Sequence, residues 1–251
     1  MSYALVQNDA LAPTLEQLKR AFKTVLTLTD ADAVKVANEA CGILLKNLSR
    51  DRATTLKTAL HGEGVPTEVV EATQLPKLPD PKFVRRMEFQ LHALLFYDPL
   101  GRAVPVEWKH VALVSAGAVR HFGMSTTKSE EMVHGFSPVR GFHRKLVTDV
   151  RHRIHDDAKL VLDIFLGGRG ARFQIEADSF LFKYCFDRAE LTVAQKVGLL
   201  IQMIAERAPH AALNRGASAL RDNLVDDANY ASKAALSDES TWLLWRMART
   251  A

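Results

Sequence analysis

Residues 43–70 read ILLKNLSRDRATTLKTALHGEGVPTEVV, and this stretch decides how the first quarter of the chain folds. Gly42 to Leu45 supply a short apolar strand. Ser49 stands where a helix N-cap belongs, because its hydroxyl can accept from a free amide of the first turn. Asp51 follows, at the end where the helix dipole favours an anion. Ala53, Leu56, Ala59 and Leu60 recur at helical spacing, so RDRATTLKTALH is a helix with one apolar stripe. Gly62 and Gly64 stop it, and EVVEA (68–72) returns as a strand.

Upstream, YALVQ (3–7) is a strand pattern. Thr14 and Gln17 form a capping box ahead of Leu15, Leu18, Phe22 and Val25. A second helix starts at Thr29 or Asp30, carries Ala33, Val34, Ala37, Ala40 and Cys41 on one stripe, and ends at Gly42. The order over 3–72 is β-α-α-β-α-β. The stretches LKRAFKTVLTLTDADAVKVANEA (18–40) and NLSRDRATTLKTALHGEGVPTEVV (47–70) carry a resemblance to the C-terminal domain of the bacterial ribosomal stalk protein, a fold also seen in the adaptor of the Clp protease. The resemblance implies a small α+β domain that holds partners on its surface. The chain departs from the stalk pattern at LTLTD (26–30), where the stalk has a glycine-containing turn.

Downstream, TQLPKLPDPKFVRR (73–86) holds Pro76, Pro79 and Pro81. Proline fixes φ and donates no hydrogen bond, so this stretch reads as a semi-rigid linker and a domain boundary. Beyond it the period changes to two. MEFQLHALLFY (87–97) places Met87, Phe89, Leu91, Ala93, Leu95 and Tyr97 on one face of a strand, and DPLG (98–101) is a turn. VPVEWKHVALVSAGAV (104–119) continues as strand, with Trp108 as a core anchor. KLVLDIFL (159–166) and ARFQIEA (171–177) flank GGRG (167–170) as a hairpin, and SFLFKYCF (179–186) is a further short element. Thr192 opens another capping box, ahead of Val193, Val197, Leu200, Ile201 and Ile204. Antiparallel strands closed by one amphipathic helix, with PVEWKHVALVSAG (105–117) in the middle, resemble a bacterial pleckstrin-homology-like domain. That likeness implies an antiparallel barrel or sandwich. The tail, 209–251, reads as helical, broken at Gly216. The expected class is α+β: a stalk-like domain 1–72, a linker 73–86, a β domain with closing helix 87–208, and a helical tail 209–251.

The totals agree with a folded chain. Of 251 residues, 47% are apolar and 25% charged, an ordinary globular balance. The net charge of +4 is a small excess of 33 basic over 29 acidic side chains. Cys41 and Cys185 lie far apart in apolar runs and make neither a disulfide framework nor a metal knuckle. The N-terminal stretch lacks a charged start followed by an apolar run, and no apolar run approaches the ~20 residues that span a bilayer. The cytoplasm of a bacterium is the expected compartment.

For chemistry, GGRG would need a following helix to cradle phosphate, and a strand follows instead. Residues 120–159 hold His121, His134, His143, His152 and His155. Within them, His152, His155 and Asp156 are the candidate metal ligands, on the model of the His–Asp pair of metal phosphohydrolases or of two histidines on one helix face. No third ligand is placed by spacing. Arg140, Arg144, Lys145, Arg151 and Arg153 are candidate anion-binding residues, with Phe136 and Phe142 interleaved, suited to nucleic acid or anionic lipid. VSAGAV (114–119) is not a nucleophile elbow, and the adjacent carboxylates Asp156/Asp157 and Asp226/Asp227 diverge. No catalytic residue and no cofactor is assigned. Trp242 and Trp245, at i and i+3, either dock onto the core or anchor a protein partner. The expectation is a non-enzymatic interaction protein. A metal-dependent hydrolase or a nucleic-acid binder using 120–159 is the alternative.

Overall fold

Three threonines start three helices in the computed structural model of the chain. Thr14, Thr29 and Thr192 each accept from the amide three residues on, and that residue's side chain returns to the threonine amide. The structure describes residues 1–9, 11–25, 27–137, 141–168 and 170–250, with side chains described outside 121–157.

The first elements are β1 (Tyr3–Gln7), α1 (Leu15–Phe22), α2 (Asp30–Glu39), β2 (Ile43–Leu48), α3 (Arg50–Gly62) and β3 (Thr67–Glu71). The strands form an antiparallel sheet in the order β2-β1-β3. The three helices pack on one face, burying Leu18, Phe22, Ala33, Leu56 and Leu60 against Leu5. The other face presents Ala4, Val6, Ile43 and Val70.

The middle of the chain carries β4 (Pro81–Phe83), β5 (Met87–Phe89), β6 (Ala93–Tyr97), β7 (Ala103–Glu107), β8 (Val111–Ser137), β9 (Gly141–Leu166) and β10 (Ala171–Glu176), then α4 (Val193–Arg207). The last elements are β11 (Ala212–Leu213), α5 (Arg215–Arg221), β12 (Asn229–Tyr230) and α6 (Lys233–Thr250). β5, β6 and β7 make an antiparallel meander. The larger sheet runs β11-β8-β9-β10-β4, with β12 also on β8, and β4, β11 and β12 join it in parallel. Met87, Leu94, Phe96 and Val106 of the meander share a core with Ile164, Phe173 and Ile175 of the larger sheet and with Val197, Leu200, Ile201 and Ile204 of α4. Phe96 stacks on Phe173 with centroids 3.9 Å apart. The architecture is mixed α+β, and among the described residues no sheet closes into a barrel.

Several expectations change. The run 87–97 is a hairpin, not one strand: Met87 pairs with Phe96, the chain turns at Gln90–His92, and Leu91 is 83% exposed. The turn reverses the face assignment, so Leu94 and Phe96 enter the core in place of Leu91, Ala93 and Leu95. Gly216 does not break the tail helix but lies inside α5, where an added Cβ would stand 2.1 Å from the Ala116 carbonyl oxygen. Residues 120–137 and 141–159 are strand, the extensions of β8 and β9. The proline-rich stretch is absorbed into the structure. Leu75 packs with the α6 tryptophans, Val84 joins the larger core, and β4 pairs with β10. Two compact units are seen: Met1–Val119 with Lys159–Ala251 is one, and Arg120–Ala158 is the other.

Within the first unit, α6 closes the exposed face of the three-stranded sheet. Trp242 is 1% exposed and its indole N–H donates to the Gln7 carbonyl at 2.8 Å. Its ring lies flat on Gly42, so close that a Cβ there would stand 2.2 Å from it. Gly42 also has φ +79°, a conformation open to glycine and costly for other residues. Gly64 shares the backbone problem, with φ +76°, but has open space around it. Gly64→Ala is therefore expected to cost about 1–2 kcal/mol from the backbone alone. Gly42→Ala adds overpacking and should cost about 3 kcal/mol or more. Urea unfolding of the two variants measures the difference.

Candidate functional site

The candidate residues from the sequence divide into two groups. His152, His155, Asp156, Arg140, Arg144, Lys145, Arg151 and Arg153 lie outside the described side chains. Among the described residues, no group of three His, Cys, Asp or Glu side chains is placed to hold a metal. Trp242 and Trp245 are described, and of the two alternatives, docking and partner anchoring, their burial is that of docking onto the core. They are 1% and 8% exposed, buried against Ala4, Val6, Ile43 and Val70. Arg246 and Arg249 cover their outer ring faces at 4.8 and 4.6 Å.

The polar groups that the structure brings together are ones that periodicity did not single out. On α6, Glu239 is 3% exposed and Ser240 1%. The Glu239 carboxylate accepts from the Arg215 backbone N–H at 2.8 Å and from the Tyr230 hydroxyl. Asn214 caps α5 by accepting from Ala217 N–H, and its amide donates to the Ala116 carbonyl and to Tyr230 Oη. Ser240 and Ser115 of β8 share a 2.8 Å hydrogen bond. These contacts tie α5, α6, β8 and β12 together. Burial pushes the Tyr230 hydroxyl up, and the neighbouring Glu239 adds to the shift.

A second cluster lies on the larger sheet. The period of two puts Leu162, Ile164, Phe173 and Ile175 in the main core, so Asp163, Arg172 and Gln174 face the other way. Asp163 is 1% exposed and accepts from Arg172 Nε at 2.9 Å, Arg172 Nη2 at 2.7 Å and Gln174 Nε2 at 2.8 Å. A charge inside each of two apolar strands was the sequence signal for this pair, in KLVLDIFL and ARFQIEA. Arg172 also lines a groove of about 460 Å³, together with Lys46 and Asn47 of β2, Lys77, and Ser237 and Thr241 of α6.

Neither thiol is built to react. Cys41 is pushed up to about 12 by burial, with Glu239 adding to the shift. Cys185 donates to the Met87 carbonyl at 3.3 Å and is likewise pushed up to about 12, mainly by burial. The nucleophile is the thiolate, and these environments disfavour it.

A thiol whose pKa rises on folding holds its proton more tightly in the native state. That stability is complete below the ordinary thiol value of 9.0 and is lost as pH climbs through about 12. At pH 8, native protein should therefore react with a thiol-directed disulfide reagent at least about a hundredfold more slowly than urea-unfolded protein. Separately, Glu239→Ala leaves the Tyr230 hydroxyl and the Arg215 N–H without their acceptor. It should cost about 3 kcal/mol or more by urea unfolding, and Glu239→Gln, which keeps an acceptor, less.

No protein-family model, no curated protein and no solved structure matches this chain.

Proposed function

We propose that this chain is a non-enzymatic interaction protein of the bacterial cytoplasm, built to hold a protein partner on its surface. The observation that carries the reading is the use made of its buried polar groups. Asp163, Arg172, Gln174, Asn214, Glu239 and Ser240 are bonded to other side chains or to backbone, and each makes at least one bond that joins two elements of the fold. A catalytic acid, base or nucleophile has to be reachable from a cleft and poised near the working pH. These groups act as struts. The sheet order β2-β1-β3 with helices on one face supports the stalk-like reading of the first part. Two sheets and α4 around one core support the pleckstrin-homology-like reading of the middle, without a closed barrel. Both likenesses are analogies for function, and both suggest a surface binder.

No helix among the described residues is long and apolar enough to cross a membrane. The basic residues Arg140, Arg144, Lys145, Arg151 and Arg153 offer nucleic acid or anionic lipid as a second kind of contact.

The test is capture of partners by tagged full-length chain, compared with a chain in which a short turn replaces 121–157, alongside a turnover screen on phosphoesters and esters. The reading predicts a reproducible partner and no turnover. Hydrolysis that disappears in His152→Ala or His155→Ala would reject it in favour of a metal enzyme. Salt-dependent retention on nucleic acid as the sole interaction would replace the protein partner with nucleic acid.

A further inference from the structure

In the groove beside Arg172 a largely buried charge lines open space. The Arg172 side chain is 8% exposed, and Asp163 engages its Nε and Nη2. Its Nη1 makes no hydrogen bond among the described residues, yet it is not sealed, because Thr67 Oγ1 is the one buried side-chain polar atom there without a partner. Gln174 fixes Asp163 from the other side, and the guanidinium lies 5.4 Å from the Phe165 ring centroid. The arginine is therefore held in one orientation before any ligand arrives, which lowers the cost of ordering it on binding.

The other groups around the groove complete a small anion's requirements. Lys77 has no ion-pair partner among the described residues, and the Ser237 hydroxyl makes no hydrogen bond there. Lys46 is neutralised by Asp238 and Arg172 by Asp163. Three cations less two paired carboxylates leave one net positive charge, and among the described residues no Asp or Glu lines the groove. Ala4, Ala72, Leu75, Pro76 and Leu78 give the groove an apolar side, and Asn47 and Thr241 complete the lining.

We propose that this groove binds a monoanionic carboxylate carried on a small apolar body. One net charge suits a carboxylate better than a phosphate dianion. Asp163 takes the Nε–H and one Nη2–H of Arg172, so three of its five N–H donors, on Nη1 and Nη2, remain beside the Lys77 ammonium and the Ser237 hydroxyl for two carboxylate oxygens. The ligand is a free small organic acid or the C-terminus of a partner chain. The assignment does not depend on the interaction reading, since a free acid would bind even where no partner protein is captured.

The experiment follows backbone amide shifts of Asn47, Lys77 and Leu78 in the full chain. Benzoate and hexanoate are the acid probes, benzamide the neutral control, and short apolar peptides are used with free and amidated C-termini. Arg172 is left intact, because removing it strands Asp163. The variants are Lys77→Glu and Ser237→Ala, both on the groove rim. Saturable binding of the acids below about 10 mM is expected, with none for benzamide, and Lys77→Glu should weaken it at least about tenfold. Free-ended peptides that bind while amidated ones do not would identify a partner's C-terminus. Binding of benzoate or hexanoate alone would identify a small acid. The proposal is overturned if neither acids nor peptides saturate these shifts, if benzamide binds as well as benzoate, or if Lys77→Glu leaves affinity unchanged.

Discussion

The contact of the Trp242 indole with Gly42 and the Gln7 carbonyl is the constraint on which the rest of the first compact unit depends. A three-stranded sheet with helices on one side leaves its other side apolar. Here that side carries Ala4, Val6, Ile43 and Val70, and α6 covers it with Trp242 and Trp245. A ring that size fits only because residue 42 has no Cβ, and its N–H needs an acceptor, which the Gln7 carbonyl supplies. The last helix in the sequence thereby completes the first sheet.

Once α6 is seated, its remaining faces determine what the larger sheet can do. Ser240 reaches Ser115 on β8, Leu236 packs with Val119 and Tyr230, and Glu239 holds the start of α5. Asp238 pairs with Lys46 on β2. The outward face of the larger sheet is thus covered in part, and polar side chains can be buried there provided that each is bonded. Asp163, Arg172 and Gln174 satisfy that condition among themselves. A buried ion pair adds little net stability over an apolar replacement, but removing one member leaves a stranded charge. The pair is better understood as a device that fixes the guanidinium beside the groove proposed to take an anion.

Much of the local structure was legible in the residues. The capping boxes at Thr14, Thr29 and Thr192 and the cap at Ser49 started helices where the pattern placed them, because a cap is a short-range bond. The hairpin around GGRG was legible for the same reason. The run 87–97 misled because two short strands around a tight turn keep period two while exchanging faces. Gly216 misled because its need is tertiary: the Ala116 carbonyl crosses it. The candidate site was the least legible part. Asp163 and Arg172 pair across a hairpin, while Lys46, Lys77 and Ser237 approach from three other segments, and no spacing rule joins these. The tryptophans stood out in sequence, but only Gly42, about two hundred residues away, explains where they go.

Contacts of α6 with both sheets imply that the N-terminal sheet and the larger sheet unfold as one cooperative body. Native-state hydrogen exchange can compare the slowest amides of β1 with those of β10 as urea is raised. Both sets are expected to converge on one opening free energy and one denaturant dependence. Amides of β1 that open at a distinctly lower free energy, while β10 and α6 stay protected together, would contradict it.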